Sequence, residues 1–186
     1  SRVTNTVIDG FTNPERFASD IWDAIYGKNN RFDHNSLLNK GNAGVTLAVR
    51  MNTEASRENG HVIEYNYFGP RQTLGSNGGE TLRIGTSHFS RESFERQGTL
   101  SLRHGHYTLV EGYYFLGNRK PNTGGIRIIN ENQTVRNNYL SGLTGHRFRG
   151  AMVIMNGVPN GPINRYDPVI DSVMDNNIVI DSDHIQ

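Results

Sequence analysis

Phe32-Asp33-His34-Asn35-Ser36-Leu37 and Ile63-Glu64-Tyr65-Asn66-Tyr67-Phe68 share one pattern, an apolar residue, two others, Asn, one more and a second apolar residue. Val135…Asn138…Leu140 and Val173…Asn176…Ile178 repeat it. Val110…Tyr113…Phe115 is a degenerate copy, and Val3…Thr6…Ile8 is a weaker one. A second unit alternates with the first: a small residue, then apolar residues at period two, the signature of a half-buried strand. It reads Gly44-Val-Thr-Leu-Ala-Val, Gly79-Glu-Thr-Leu-Arg-Ile, Gly98-Thr-Leu-Ser-Leu, Gly125-Ile-Arg-Ile and Gly150-Ala-Met-Val-Ile. With each unit taken as one short strand, and one of each per turn, the chain is expected to be all-β: a right-handed parallel β-helix forming a single domain over 1–186. Asn at one phase of every coil can form a side-chain ladder, and it tolerates the left-handed backbone that tight turns need. A β-sandwich would not place the same residue types at the same phase in successive units.

Composition agrees. The 186 residues suffice for one well-buried core. A hydrophobic content of 34% with 21 glycines suits short strands and many turns better than a helical bundle. One helical spacing occurs, at Phe17, Ile21, Trp22 and Ile25 within 13–25, and it predicts a helical turn there that could cap one end. No apolar run approaches the ~18 residues of a membrane span. No leader pattern is legible, and the opening Ser1 is expected of a processed product or a fragment. There is no Cys, so thiolate metal sites and disulfides are excluded. With 19 basic and 18 acidic residues the net charge is +1, too little for a nucleic-acid binder.

The repeat loses register once. Between Ile84 and Gly98 an Asn-bearing unit is due, and Phe89…Glu92…Phe94 copies it poorly in an interval too short for a full turn. An irregular or missing coil is expected near 86–97.

Residues alternating with the inward ones point outward. That places Arg83, Arg103 and Arg127 on one face of successive coils, with Arg50 at the face's end. Coils stack about 4.8 Å apart, so like charges in register cost up to ~1 kcal/mol per pair. Such a ladder points to an anionic ligand along the stack. The alternative is that Glu80, Glu111 and Glu131 neutralise the arginines on an ordinary solvated face. Beside Arg103, His104 and His106 add two titratable imidazoles, which are either turn residues or functional groups. Two histidines without a third ligand make a weak metal site. Asn77, in Gly75-Ser-Asn-Gly-Gly, either makes a turn or offers an amide oxygen to calcium. Met152 and Met155 read as packing residues.

Asn66-Tyr-Phe-Gly-Pro-Arg, then Gly75-Ser-Asn-Gly-Gly-Glu-Thr-Leu-Arg-Ile-Gly-Thr-Ser, then Gly98-Thr-Leu-Ser-Leu-Arg-His-Gly resemble polysaccharide lyase family six, the alginate lyases and chondroitinase B. Tyr26-Gly-Lys-Asn-Asn-Arg, Glu54-Ala-Ser-Arg, Gly125-Ile-Arg-Ile-Ile and Asn137-Asn-Tyr extend the resemblance over nearly the whole chain, and it leans toward alginate lyase. It implies a secreted or periplasmic enzyme acting on an acidic, alginate-like polysaccharide by calcium-assisted β-elimination, with no nucleic-acid or membrane partner. It implies Arg103 as the catalytic arginine with His104 beside it, Asn77 as a calcium ligand, and Arg127 as a substrate contact. Arg83, Arg50 and His106 join the substrate-binding set through the outward face. The family also carries a Gly-Glu-x-Glu-x-x-Ser-Asn-Lys strand, which supplies two calcium-binding glutamates and the base lysine. This chain has no such strand, and Lys28, Lys40 and Lys120 sit in no matching context. Two readings follow: an alginate-lyase-like enzyme, or an inactive β-helix that binds acidic polysaccharide or serves only as a scaffold.

Overall fold

The structure, a computed structural model, describes residues 1–10, 23–41, 45–49, 60–72, 80–84, 107–129, 131–145, 150–157, 168–183 and 185, with backbone alone at 23, 24, 80, 83 and 84. Its strands come in coils. The first holds β1 (Arg2–Thr4), β2 (Val7–Asp9) and β3 (Asp23–Ile25), and the second β4 (Arg31–Asp33), β5 (Ser36–Leu38) and β6 (Leu47–Val49). The third holds β7 (Val62–Glu64), β8 (Tyr67–Phe68) and β9 (Glu80–Ile84). The fourth holds β10 (Leu109–Glu111), β11 (Tyr114–Leu116) and β12 (Gly124–Ile128). The fifth holds β13 (Thr134–Arg136), β14 (Tyr139–Ser141) and β15 (Met152–Ile154), and the last β16 (Val173–Asp175) and β17 (Ile178–Ile180).

Each strand pairs in parallel with its counterpart one coil away, giving sheet A (β1-β4-β7-β10-β13-β16), sheet B (β2-β5-β8-β11-β14-β17) and sheet C (β3-β6-β9-β12-β15). The chain is a parallel β-helix. Phe32, Ile63, Val110 and Val135 from sheet A meet Leu37, Phe68, Phe115 and Leu140 from sheet B and Leu47, Leu82 and Ile126 from sheet C in one core. Phe68, Tyr113 and Phe115 stack inside it, with ring centroids 5.1–5.3 Å apart. Met152 belongs to this core, and Met155 packs with Ile129 and Val153 in a smaller cluster, so both methionines are packing residues.

The first sequence unit is a corner rather than one strand. Phe32 ends its inward row on sheet A, Leu37 begins one on sheet B, and the chain bends between them. The bend falls on the residue before the ladder position, which takes positive φ in Asn5 (53°), His34 (54°), Tyr65 (51°), Gly112 (72°), Asn137 (56°) and Asn176 (50°). The ladder asparagines themselves therefore need no left-handed backbone. They work through their side chains. Asn66 Oδ1 accepts from Asn35 N at 2.8 Å and from Asn35 Nδ2 at 2.9 Å. Asn66 Nδ2 donates to Phe32 O at 2.8 Å and Tyr113 Oη at 2.7 Å. Tyr113 takes the Asn position in its coil, and its own N–H donates to Asn138 Oδ1 at 3.1 Å. Thr6 does so in the first coil, its N–H donating to Asn35 Oδ1 at 3.0 Å.

In the last coil the phase differs from the sequence expectation. Val135 pairs with Met174 and Leu140 with Val179. The ladder residue is therefore Asn177, whose Oδ1 accepts from Asn138 Nδ2 at 2.8 Å, and Asn176 is the exposed bend residue. The expected helical turn is also corrected at its end: Asp23–Ile25 is a strand paired with Leu47–Val49, and residues 11–22 lie outside the described residues.

The small residue that opens the second unit has a packing reason. A Cβ on Gly125 would meet Ala151 O at 2.3 Å and Leu140 Cδ2 at 2.9 Å, so the fourth coil can lie against the fifth only with glycine there.

Candidate functional site

Sheet C decides where the arginines go. Its rows Leu47–Leu82–Ile126–Met152 and Val49–Ile84–Ile128–Ile154 are in register, and Leu47, Val49, Leu82, Ile126, Ile128 and Met152 belong to the core. Between them runs the row Ala24–Ala48–Arg83–Arg127–Val153, in register, and the period of two turns Arg127 away from the core. Arg83 and Arg127 are therefore immediate neighbours across the β9–β12 pair, with small Ala24 and Ala48 on one side and Val153 on the other.

Two expectations change here. A coil bearing Arg103 was expected between those of Arg83 and Arg127, but β9 pairs directly with β12. The chain from 85 to 106, with Arg103, His104 and His106, lies outside the described residues, as do Arg50 and Asn77. Arg127 was expected to face solvent. It does turn from the core, but only 5% of it is exposed, because the outer face of sheet C is covered: Val153 beside it is equally buried and packs with Ile129, Met155 and Val169.

The alternative in which glutamates neutralise this row fails for Glu111. It lies on sheet A and binds Arg136 at 3.1 Å and Asn137 Nδ2 at 2.8 Å, which hold its carboxyl below its ordinary value. Sheet A compensates its own charge elsewhere too. The Arg2 guanidinium, 2.6 Å from buried Asp33, holds that carboxyl well below the usual carboxylate range, with His34 and Thr4 adding hydrogen bonds. Arg31 bonds Glu64.

A proton-abstracting base is not on the described part of the arginine row. Lys28 is exposed on the turn leading to sheet A, Lys40 is buried after β5, and Lys120 follows β11. Among the described residues no group of three or more His, Asp or Glu side chains could hold a metal ion.

One set of residues was not singled out from the sequence. Tyr67, Tyr114 and Tyr139 pair in register on the outside of sheet B, next to exposed Tyr65 on the bend. Their signal was present: a tyrosine directly follows the ladder position at 67, 114 and 139.

The chondroitinase B family model matches the chain in two pieces, residues 1–94 and 91–186, which meet where the repeat register breaks. Among solved structures, the polysaccharide lyase family six alginate lyase AlyGC is 50% identical, with a TM-score of 0.55 over 89% of this chain and 27% of that one. A mannuronic acid specific polysaccharide family 6 lyase from human gut microbiota is 26% identical, with a TM-score of 0.56 over 100% of this chain and 51% of that one. Alginate lyase AlyF-OU02, solved with G6, is 18% identical at a TM-score of 0.52 and agrees in fold. This chain thus spans between about a quarter and half the length of these relatives. No curated protein sequence matches it. With both pieces of the family model in place on one continuous β-helix, the chain belongs to the chondroitinase B family, among polysaccharide lyases of the family six type.

Proposed function

We propose that this chain belongs to an alginate-acting lyase, and that the arginines in the row Ala24–Ala48–Arg83–Arg127–Val153 of sheet C engage carboxylates of its uronate polysaccharide. The observation that supports this most is the in-register pair Arg83–Arg127 at the centre of that row, in a chain 50% identical to an alginate lyase. Two adjacent arginine positions about 4.8 Å apart concentrate positive charge, which suits an anionic ligand. Arginine suits that anion, because its planar fork grips a carboxylate with two hydrogen bonds. In β-elimination a base removes the proton at C5, the C4–oxygen bond breaks, a C4=C5 double bond forms, and the leaving oxygen takes a proton. Arg103 with His104 serves the leaving oxygen in this reading. Arg83, Arg127, Arg50 and His106 bind substrate.

Among the described residues calcium finds no complete site. The direct pairing of β9 with β12 leaves no strand between them to carry the family's two glutamates, and Asn77 alone matches a ligand. No step is routed through the ion, and its binding is proposed to be weak. The same pairing favours a second reading, in which this chain binds acidic polysaccharide without cleaving it. A secreted or periplasmic location, where such polymers occur, goes with either reading.

The test is to incubate the chain with polymannuronate and polyguluronate and follow the ultraviolet absorbance of the unsaturated uronate. Turnover that Arg103→Ala abolishes supports the lyase. Turnover that Arg103→Ala leaves unchanged removes Arg103 from the mechanism. No turnover, with salt-sensitive binding of the polymer, selects the binding reading.

A further inference from the structure

The corner between sheets A and B carries a second surface. Two open hollows of about 440 Å³ and 480 Å³ share Tyr65, Gly112 and Tyr114, so they run end to end along the solenoid. The first reaches back to Asn5 and the second forward to Asn176. Tyr65, Tyr67 and Tyr114 are 52%, 37% and 56% exposed, whereas neighbouring Tyr113 is buried in the core. The rings are held in place. Tyr65 leans over Gly112, where a Cβ would come within 2.6 Å of the ring, and His34 packs on Tyr65 with centroids 5.3 Å apart. Tyr114 and Tyr139 lie 5.6 Å apart at 44°.

The lining selects the occupant. It holds aromatic rings and side-chain amides, with His34, Ser36 and one aliphatic residue, Ile178, and no Lys, Arg, Asp or Glu. The nearby carboxylates of Asp33, Glu64 and Glu111 are engaged by Arg2, Arg31 and Arg136. A surface built to gather charge would show unengaged guanidinium groups. One built for an apolar helix would be lined mainly by aliphatic side chains, and Ile178 alone is aliphatic here. Rings for C–H faces and amides for hydroxyl groups are the chemistry of a sugar. A straight groove whose rings recur at the coil spacing of about 4.8 Å suits a linear polymer with a similar repeat. We infer that this groove binds a linear polysaccharide through the faces of its sugar rings, apart from the arginine row of sheet C. The ligand class rests on the polysaccharide reading; the binding mode does not need catalysis.

The experiment titrates the chain with a mannuronate oligomer and a cello-oligosaccharide at about 0.5 M salt, where charge attraction is screened within a few Å. Both oligomers bind the unchanged chain. Tyr114→Ala and Tyr139→Ala each weaken that binding by about tenfold, at the upper end of what an aromatic contact contributes, while circular dichroism and melting stay the same. Tyr107→Ala, an exposed tyrosine on another turn, leaves it unchanged. The inference is overturned if the unchanged chain binds neither oligomer at high salt, or if Tyr114→Ala binds as tightly as the original. It is also overturned if Tyr114→Ala breaks a dimer without affecting sugar binding, which would make the groove a protein interface. A chain without lyase activity that still shows the tyrosine-dependent binding fails the lyase reading and keeps this one.

Discussion

Replacing Asn66 with alanine tests the ladder at its busiest point. The side chain is 1% exposed and makes hydrogen bonds to two neighbouring coils. Its loss strands the Asn35 N–H, which has its ladder partner in Asn66 Oδ1 at 2.8 Å. It also removes the donor to the Tyr113 hydroxyl, a fully buried group whose phenol burial pushes well above its ordinary pKa. The carbonyls of Phe32 and Glu64 lose a donor each. A buried polar group left unsatisfied costs about 1–3 kcal/mol. With the Asn35 N–H fully stranded and the other groups partly so, the sum is roughly 4 kcal/mol. For a chain of this size that lowers the melting temperature by roughly 10 °C. Urea unfolding followed by circular dichroism measures it directly, with Asn66→Ala losing midpoint at unchanged slope. A loss under about 1 kcal/mol would refute the reasoning, because it would mean that water or backbone shifts satisfy those groups as well as the amide does.

Asn176→Gly is expected to be within about 0.5 kcal/mol of the original, since an exposed left-handed position suits glycine, while Asn177→Gly loses about 1–3 kcal/mol through the stranded Asn138 amide; melting curves of the pair decide the phase of the last coil. Burial lowers His61 to about 4, and the N-terminal charge adds to this. A histidine depressed in the fold destabilises it as pH falls from ~6.5 toward that value, so about 3 kcal/mol should disappear over this window; urea titrations at several pH values should show His61→Asn losing less. Asp33, whose carboxyl is also held low, loses its contribution only as pH drops into and below the ordinary carboxylate range, so the two effects fall in different windows. Calorimetry should find calcium binding no tighter than about millimolar, given a carboxylate-poor donor set, and micromolar binding would mean that other acids complete the site. Arg127→Ala should weaken uronate binding at low salt and also lower the melting temperature, because the residue is 5% exposed; unchanged melting would mean its burial contributes nothing.

The β-helix was legible because a ladder demands the same amide at the same phase of every coil, and Asn35, Asn66 and Asn138 supply it. The corner inside that unit was less legible. Two of its left-handed residues are His34 and Tyr65, which carry no turn signal in sequence. The phase slip at the last coil has a similar cause. Asn176 and Asn177 are adjacent, and both Val173…Ile178 and Met174…Val179 offer apolar ends, so only the pairing with Val135 and Leu140 separates them. The outward sense of Arg127 followed from period two. Its burial did not, because that depends on how Val153, Met155 and Val169 gather over the sheet. The tyrosine groove escaped notice because rings far apart in sequence become neighbours only once the coils are stacked.

β9 ends at Ile84 and β10 begins at Leu109, yet Val62 meets Leu109 and Leu82 meets Ile126 in the same parallel register as every other pair of coils. Every coil offers the next an equivalent edge, so the core is indifferent to which coil follows which. The surface is not. Adding or removing one turn re-deals the outward side chains as a block, separating partners or bringing former strangers together. In this architecture an entire turn of chain is a unit of change, a step that alters recognition on an outward face while keeping the parallel pairing of the backbone.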